Sequence, residues 1–255
     1  MLKSIIIAFS MYSKIPMPQV EWDAHGKNFS LCFFPLVGAV IGLCSIGIFF
    51  GLPYLGMGKT ITAAVLTVLP ILLNGGIHMD GFLDTMDAKH SYQPKERKLE
   101  ILKDPHMGAF ASICGLVYMF LTFGFFSETS EETICLAALG YVYSRILSGL
   151  SVVSLKKAKK DGMAAEEADT AQKQVKGVLW GELLVCIVCF FLLNPVIGAV
   201  CAAIGGLCFW HYRRMAYKLF GGITGDLAGY FLQLCELWIL IGAVLAERLW
   251  NVLAG

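Results

Sequence analysis

The chain has 255 residues, of which 57% are hydrophobic and only 15% carry a formal charge. A water-soluble domain of this length does not need so much apolar surface, so the composition excludes that class and predicts an all-α, polytopic integral membrane protein. The net charge of +1, without a basic stripe interleaved with aromatic residues, excludes a nucleic-acid partner.

The opening segment, LKSIIIAFSMYSKIPMP, is apolar but too short to cross a bilayer before Pro16 and Pro18. A secretory signal peptide is the rival interpretation, but no small-residue cleavage site follows. The segment therefore predicts an N-terminal interfacial or re-entrant helix.

Seven later runs are long enough, or nearly so, to span a hydrocarbon layer of roughly 30 Å. We place them at 31–51, 60–77, 108–126, 133–153, 179–193, 196–212 and 227–250. The fifth and sixth runs are short and meet at Asn194-Pro195, which predicts a tight helical hairpin. We interpret 1–255 as a single membrane-embedded catalytic domain.

The positions of Lys and Arg predict the orientation of these spans. With the N-terminus in the cytoplasm, the inner segments carry 17 of the 20 basic residues and the outer segments carry only Lys59. The remaining two, Arg145 and Arg248, lie within spans. We therefore expect a multi-pass protein of a bacterial or archaeal cytoplasmic (inner) membrane, with its N-terminus inside, its C-terminus outside and its active site facing the cytoplasm.

The second run leads into NGGIHMDGFLDTMDA, which contains Asp80, Asp84 and Asp87. Spacings of four and three residues place the three carboxylates within an arc of roughly 60° on a helix. Such a cluster is either a solvated helix face or a site for a hard cation, and no Lys or Arg occurs between Lys59 and Lys89 to balance it. Oxygen ligands favour Mg²⁺ over zinc. Nearby His78 could act as a ligand, a phosphate donor or a cap.

The segment Asp104-Pro105-His106 has two interpretations. The first is a helix start, with Asp104 as the N-cap and Pro105 in the first turn. In the second, Asp104 and His106 close over the same anion or metal as the aspartates.

Two intramembrane charges, Arg145 and Glu236, would each be costly if unpaired. We expect Arg145 to pair with an acid or with a substrate phosphate. The basic run 156–160 predicts an anchor for anionic lipid.

The last span opens with FGGITGD. Gly221, Gly222 and Gly225 would allow a turn of exposed backbone N–H groups beside a helix N-terminus, which favours phosphate. A flexible hinge with Asp226 as the helix cap is the rival interpretation.

These stretches together resemble the cobalamin synthase (adenosylcobinamide-GDP ribazoletransferase) family. The matching pieces occur in order as SKIPMP, GGIHMDGFLDTMDA, EILKDPHMGAFA, SRILSG and GGITGDLAGYFLQLCE. The chain departs from the family at Ala88, where Gly is more usual, and the loop at 154–178 matches weakly.

The resemblance implies a Mg²⁺-dependent transfer of the cobinamide-phosphate group from adenosylcobinamide-GDP. The acceptor would be the 3′-hydroxyl of α-ribazole or its 5′-phosphate, with GMP as the leaving group. It implies that Asp80, Asp84 and Asp87 bind Mg²⁺ and that one of them, or Asp226, accepts the hydroxyl proton. The substrate-binding residues it implies lie in the other motifs: Asp104, His106, Arg145, Gly221, Gly222, Gly225 and Glu236, with His78 beside the acids.

Two other functional classes fit the sequence less well. A phospholipid alcohol phosphotransferase would carry an Ala-Arg pair after Asp80-Gly81, which this chain lacks. A cation or proton-coupled transporter would explain Glu236, but transporters place ligands at the midplane between repeats. Beyond the lipid bilayer, the sequence leaves open a homo-oligomer or an association with other enzymes of B12 assembly.

Overall fold

The computed structural model describes residues 1–22, 24–158 and 173–254, and within these ranges the chain folds into helices without a β-sheet. The prediction of an all-α protein is confirmed. The helices are α1 Leu2–Tyr12, α2 Ala24–Ser30, α3 Phe34–Tyr54, α4 Lys59–Asn74, α5 Ile77–His90, α6 Lys95–Ile101, α7 Ala109–Ser127, α8 Glu131–Ser154, α9 Lys173–Leu193, α10 Pro195–Phe220 and α11 Gly225–Ala254. A short 3-10 turn at Leu31–Phe33 leads into α3.

Six of the described helices are long and apolar enough to cross a membrane: α3 with its leading turn, α7, α8, α9, α10 and α11. A seventh candidate is the pair α4 and α5, which bends by 95° between the two helices. Gly75 and Gly76 make this bend with φ angles of 64° and 80°, a region that residues with a Cβ rarely adopt.

The predicted count of seven spans is reached when α4 makes the remaining crossing. Its 16 residues cover about 24 Å at the α-helical rise of 1.5 Å per residue. We place α5 outside the spanning segments because it turns away by 95° and carries three aspartates and two histidines in 14 residues. With α4 as a span, the aspartate helix would begin where the second span ends.

Helices α8 and α11 form the centre of the bundle and are its most buried spans. Helix α3 packs closely on α8, where Gly38 and Gly42 face the backbone of Tyr141 and Ala138. These close approaches bring the N-terminal end of α3 beside the polar residues of α8 and α11.

The N-terminal helix α1 does not span, as predicted. Four consecutive residues, 6–9, are buried, so protein surrounds the middle of this helix, while Leu2, Lys3 and Ser10 are exposed. A surface helix would bury one face only. Of the two predicted alternatives, the structure therefore favours a helix inserted into the bundle over an interfacial one.

The predicted hairpin between the fifth and sixth spans is confirmed. The side-chain oxygen of Asn194 accepts hydrogen bonds from Val196 N and Ile197 N at 2.9 and 2.8 Å and caps α10. The prediction that these two helices are short is wrong, because α9 has 21 residues and α10 has 26. Both helices continue beyond their apolar runs into polar sequence, which an apolar-run criterion does not detect.

Candidate active site

The aspartate helix α5 crosses α11 at a point where glycines allow the two backbones to touch. A Cβ at Gly81 would lie 2.7 Å from the carbonyl oxygen of Asp226, and one at Gly229 would lie 3.0 Å from that of His78. This contact is too close for any larger residue. It fixes the first turn of α11 against the middle of α5.

As a consequence, the carboxylate of Asp226 acts on the stripe of carboxylates formed by Asp80, Asp84 and Asp87. Partial burial and, after it, the negative charges of Asp80, Asp226 and Asp87 together raise the pKa of Asp84 to about 7. Asp226 comes from a segment 139 residues downstream of Asp87, and the helix crossing is what brings it within electrostatic reach.

The donor chemistry of this cluster fits Mg²⁺, although the side chains do not form a closed cage. Within the described ranges, no three His, Cys, Asp or Glu side chains are grouped closely enough to hold a metal ion. Mg²⁺ usually binds through one or two carboxylates and completes its shell with water and substrate phosphates. The mutual repulsion at Asp84 is the electrostatic condition that a divalent cation relieves.

The carboxylate of Asp87 binds the backbone at the start of α7. Its two oxygens accept hydrogen bonds from the backbone of Gly108 at 2.6 Å and of Ala111 at 2.8 Å. These amides lie at the start of α7, where helix N–H groups have no partner within the helix. The structure thus gives Asp87 a capping function that the sequence did not indicate.

His78 lies in an aromatic cluster and not on the exposed stripe. Its ring centroid is 5.9 Å from that of Phe34 and 6.5 Å from that of Tyr12. Burial and, after it, the charge of Arg145 together lower the pKa of His78 to about 3, so the ring is neutral. The capping alternative is wrong, because Gly76 occupies the N-cap position of α5.

Asp104 and His106 lie together in the exposed segment between α6 and α7. The His106 ring nitrogen Nδ1 is 2.8 Å from the Asp104 carboxylate, which also accepts the backbone N–H of His106. The hydrogen bonds from His106 hold the pKa of Asp104 below its usual value. The predicted helix start at Asp104 is wrong, since α7 begins at Ala109 with Gly108 as its N-cap.

The glycine turn before α11 is largely committed to packing. Gly222 N donates to Ala216 O, and Ile223 N donates to Lys156 O. A Cβ at Gly222 would lie 2.5 Å from that same Lys156 oxygen, so glycine is needed for this contact. The N–H of Gly221 also donates to Ala216 O, so the predicted exposure of N–H groups is wrong at Gly221 and Gly222. Gly225 has open space beside it.

Asp226 is not the cap of α11, as the rival interpretation held. Leu227 N donates to the hydroxyl of Thr224 at 3.2 Å, so Thr224 caps the helix. Asp226 lies in the first helical turn, where a negative charge interacts favourably with the helix dipole.

The two intramembrane charges pair with each other. Arg145 Nη1 lies 2.7 Å from Glu236 Oε1, which also accepts the hydroxyl of Ser144. Arg145 is fully buried, and its Nε and Nη2 have no hydrogen-bond partner among the described residues. The predicted pairing of Arg145 with an acid is confirmed, and the pair joins α8 to α11.

Sequence reasoning missed Lys98. Its buried ammonium group donates to the carbonyl oxygens of Ala88 at 2.7 Å and Lys89 at 3.0 Å, at the end of the aspartate helix. Lys98 lies in KERKLE, where nothing in the sequence distinguishes it from its charged neighbours. Of the predicted basic anchor at 156–160, the last two residues lie outside the described ranges.

Comparison with known proteins identifies one family. The sequence model for cobalamin-5-phosphate synthase matches residues 4–244. A protein of Lachnoclostridium phytofermentans named adenosylcobinamide-GDP ribazoletransferase is 47% identical, covering 96% of this chain and 95% of its own length. Proteins of the same name from Clostridium perfringens and Desulfitobacterium hafniense are 31% and 32% identical over at least 92% of each chain. No solved structure matches this chain.

Proposed function

This chain belongs to the cobalamin-5-phosphate synthase family, and we propose that it catalyses the transfer for which its relatives are named. In this reaction the 3′-hydroxyl of α-ribazole, or of its 5′-phosphate, attacks the cobinamide-side phosphorus of adenosylcobinamide-GDP. A new P–O bond forms, the bond to the GMP oxygen breaks, and the hydroxyl proton is lost to a base. The products are adenosylcobalamin, or its 5′-phosphate, and GMP.

The observation that carries this proposal is the meeting of Asp80 and Asp84 with Asp226 at the α5–α11 crossing. Phosphoryl transfer depends on positioning and on neutralising negative charge more than on covalent catalysis by the protein. A surface that concentrates carboxylates repels a diphosphate, so a divalent cation would be needed between the two. These three residues would hold Mg²⁺, which when bound neutralises the non-bridging oxygens of the diphosphate.

The carboxylates have a second function in the proposed reaction. Asp84 would accept the proton of the attacking hydroxyl only where the cation leaves its carboxylate free, because a bound cation removes the repulsion that raises the pKa of Asp84. Asp226 is the alternative base, because it lies on the other helix of the crossing. Asp104 and His106, exposed on the segment before α7, are proposed to contact substrate phosphate.

We also propose that the site faces the cytoplasm from the inner membrane. Basic residues flank α5 in the sequence segment 89–103, which the distribution of Lys and Arg favours as an inner segment. The transporter alternative is not favoured, because the Glu236 that motivated it is already neutralised by Arg145 in the bundle core.

The test is the formation of GMP by the purified, detergent-solubilised protein supplied with adenosylcobinamide-GDP and α-ribazole. We expect GMP and adenosylcobalamin in equal amounts when Mg²⁺ is present, and neither product when the cation is chelated. GMP formation at the same rate in chelator would contradict the metal assignment, and no GMP under any condition would contradict the proposed reaction.

A further inference from the structure

Asp87 stands apart from the aspartate stripe in what it binds. Both of its carboxylate oxygens accept short backbone hydrogen bonds, from Gly108 and Ala111. Hydrogen bonds from N–H groups to a carboxylate are roughly twice as strong as neutral ones, and a negative charge at a helix N-terminus gains from the helix dipole. The carboxylate thus binds the start of α7 to the third turn of α5.

This contact requires a residue without a side chain at position 108. A Cβ at this position would lie 2.7–2.8 Å from the Asp87 carboxylate atoms, so any larger residue would displace the carboxylate. Gly124 in the same helix has nothing within 4 Å of its Cβ position. Glycine is therefore required at position 108 by the contact with the Asp87 carboxylate and not by the helix itself.

Lys98 provides a second attachment at the same end of α5. Its side chain is 5% exposed and donates to the carbonyls of Ala88 and Lys89, which belong to the last turn of α5. These carbonyls lack helical partners, and a cation at a helix C-terminus is favourable. Asp87 and Lys98 together attach the C-terminal half of α5 to α7 and α6.

We propose that Asp87 and Lys98 are positioning residues, which hold the aspartate helix so that Asp80 and Asp84 face Asp226, and that Asp87 does not bind the metal. The inference rests on the proposed function for the identity of the reaction. It divides the three aspartates of one stripe into two that act on the cation and one that fixes the helix. An attachment of this kind fixes the second half of α5, which follows a 95° bend at two glycines, while the crossing with α11 and the packing of His78 against Phe34 and Tyr12 hold its first half.

Hydrogen exchange of the metal-free protein tests the attachment without reference to activity. Asp87→Asn removes the negative charge and turns one of the two acceptor oxygens into an NH₂ group, so we expect the Gly108 and Ala111 amides both to lose protection, by about tenfold at the one that loses its acceptor. Gly108→Ala should weaken protection at Ala111 comparably, although every carboxylate is retained. Gly124→Ala is the matched control and should exchange like the unchanged protein.

Steady-state kinetics then separate positioning from metal binding. For Asp87→Asn, Gly108→Ala and Lys98→Met we expect kcat to fall about tenfold while the Mg²⁺ concentration for half-maximal activity stays within about twofold. Asp84→Asn should instead raise that Mg²⁺ concentration about tenfold or more. Lys95→Met, an exposed lysine of the same helix as Lys98, is the control and should behave like the unchanged protein.

Two results would overturn the inference. One is a Mg²⁺ requirement raised by Asp87→Asn as strongly as by Asp84→Asn, together with unchanged kinetics in Gly108→Ala. The other is unchanged exchange at Gly108 and Ala111 in Asp87→Asn. Failure of the proposed function would look different, because the unchanged protein would then form no GMP while the exchange results would still decide the attachment.

Discussion

The pKa of Asp84 depends on charged residues that are close in space, one of which is far away in the sequence. Its carboxyl is half-buried, and the charges nearest to it come from Asp80 on the same helix and Asp226 on another. The folded protein therefore disfavours the ionised form of Asp84, whereas the unfolded chain does not. This difference makes stability depend on pH and on divalent cations.

The first prediction concerns this dependence. Because the folded pKa of Asp84, about 7, lies above the ordinary value of 3.8, metal-free protein should lose stability as pH rises through this interval. The Tm in chelator should thus fall from pH 5 to pH 8, by an amount reduced by solvent screening at a half-exposed group. Asp84→Asn should flatten the profile, and saturating Mg²⁺ should restore the Tm of the unchanged protein at pH 8. A Tm that rises with pH in chelator would contradict the repulsion.

The second prediction concerns the buried pair Arg145–Glu236. Removing one partner leaves an uncompensated buried charge, so Arg145→Met and Glu236→Leu should each lower the free energy of unfolding by about 3–5 kcal/mol. The double variant should lose much less than the sum of the two. The exposed pair Arg248–Glu128 is the control, and Arg248→Met should cost about 0–1 kcal/mol. Additive losses at the buried pair would show that the two residues act independently.

The functions of individual residues were predictable where spacing or burial along the chain determines them. The aspartate stripe follows from spacings of four and three, and the pairing of Arg145 follows from the cost of an isolated charge in a membrane. The functions of Asp87 and Lys98 were not predictable, because they depend on α6 and α7 folding back onto α5. No local pattern reports which of several charged residues such a contact will bury.

At the scale of helices, glycines determine the geometry of the site. Gly75 and Gly76 turn α5 away from α4, and Gly81 allows α5 to touch α11. The glycines of α3 do not all make contacts, since Gly42 meets α8 while Gly47 has nothing within 4 Å of its Cβ position. Spacing identifies a possible contact, but only the position of the neighbouring helix decides it.

The third prediction tests the crossing. Gly81→Ala places a Cβ 2.7 Å from the Asp226 carbonyl oxygen and 2.8 Å from its Cα, which are backbone atoms that cannot rotate away. Overpacking of this kind costs about 1–3 kcal/mol and should move Asp226 away from Asp84. We expect a lower Tm and a loss of GMP formation.

Gly47→Ala is the matched control, because its Cβ meets nothing, and it should leave both Tm and GMP formation unchanged. Full activity of Gly81→Ala would show that the crossing does not set the arrangement of the carboxylates.

At the scale of the whole molecule, the bend between α4 and α5 decides the topology. If α4 crosses, the chain has seven spans and its termini lie on opposite sides. If α4 and α5 instead re-entered on one side, the chain would have six spans, and the basic residues at 89–103 would lie outside. The distribution of Lys and Arg favours the first arrangement. Apolar run length predicted the spans well but could not foresee a 95° bend.

The fourth prediction tests this arrangement with a reporter enzyme that is active only outside the cytoplasm. Inserted at 103–104, between α6 and α7, it should be inactive, and inserted at 128–129, between α7 and α8, it should be active. A fusion at the C-terminus should also be active. Activity at 103–104 together with inactivity at 128–129 would mean that α4 does not cross.

The most direct measurement of the central claim is the binding of Mn²⁺, a paramagnetic substitute for Mg²⁺, followed by electron paramagnetic resonance with adenosylcobinamide-GDP present and α-ribazole withheld. We predict that Asp84→Asn weakens Mn²⁺ binding by about tenfold or more, because a carboxylate ligand is lost. Glu131→Gln, which removes an exposed carboxylate at the opposite end of the bundle, should bind Mn²⁺ like the unchanged protein. Equal affinity for Mn²⁺ in Asp84→Asn and in the unchanged protein would contradict the claim that Asp80, Asp84 and Asp226 hold a cation against the diphosphate.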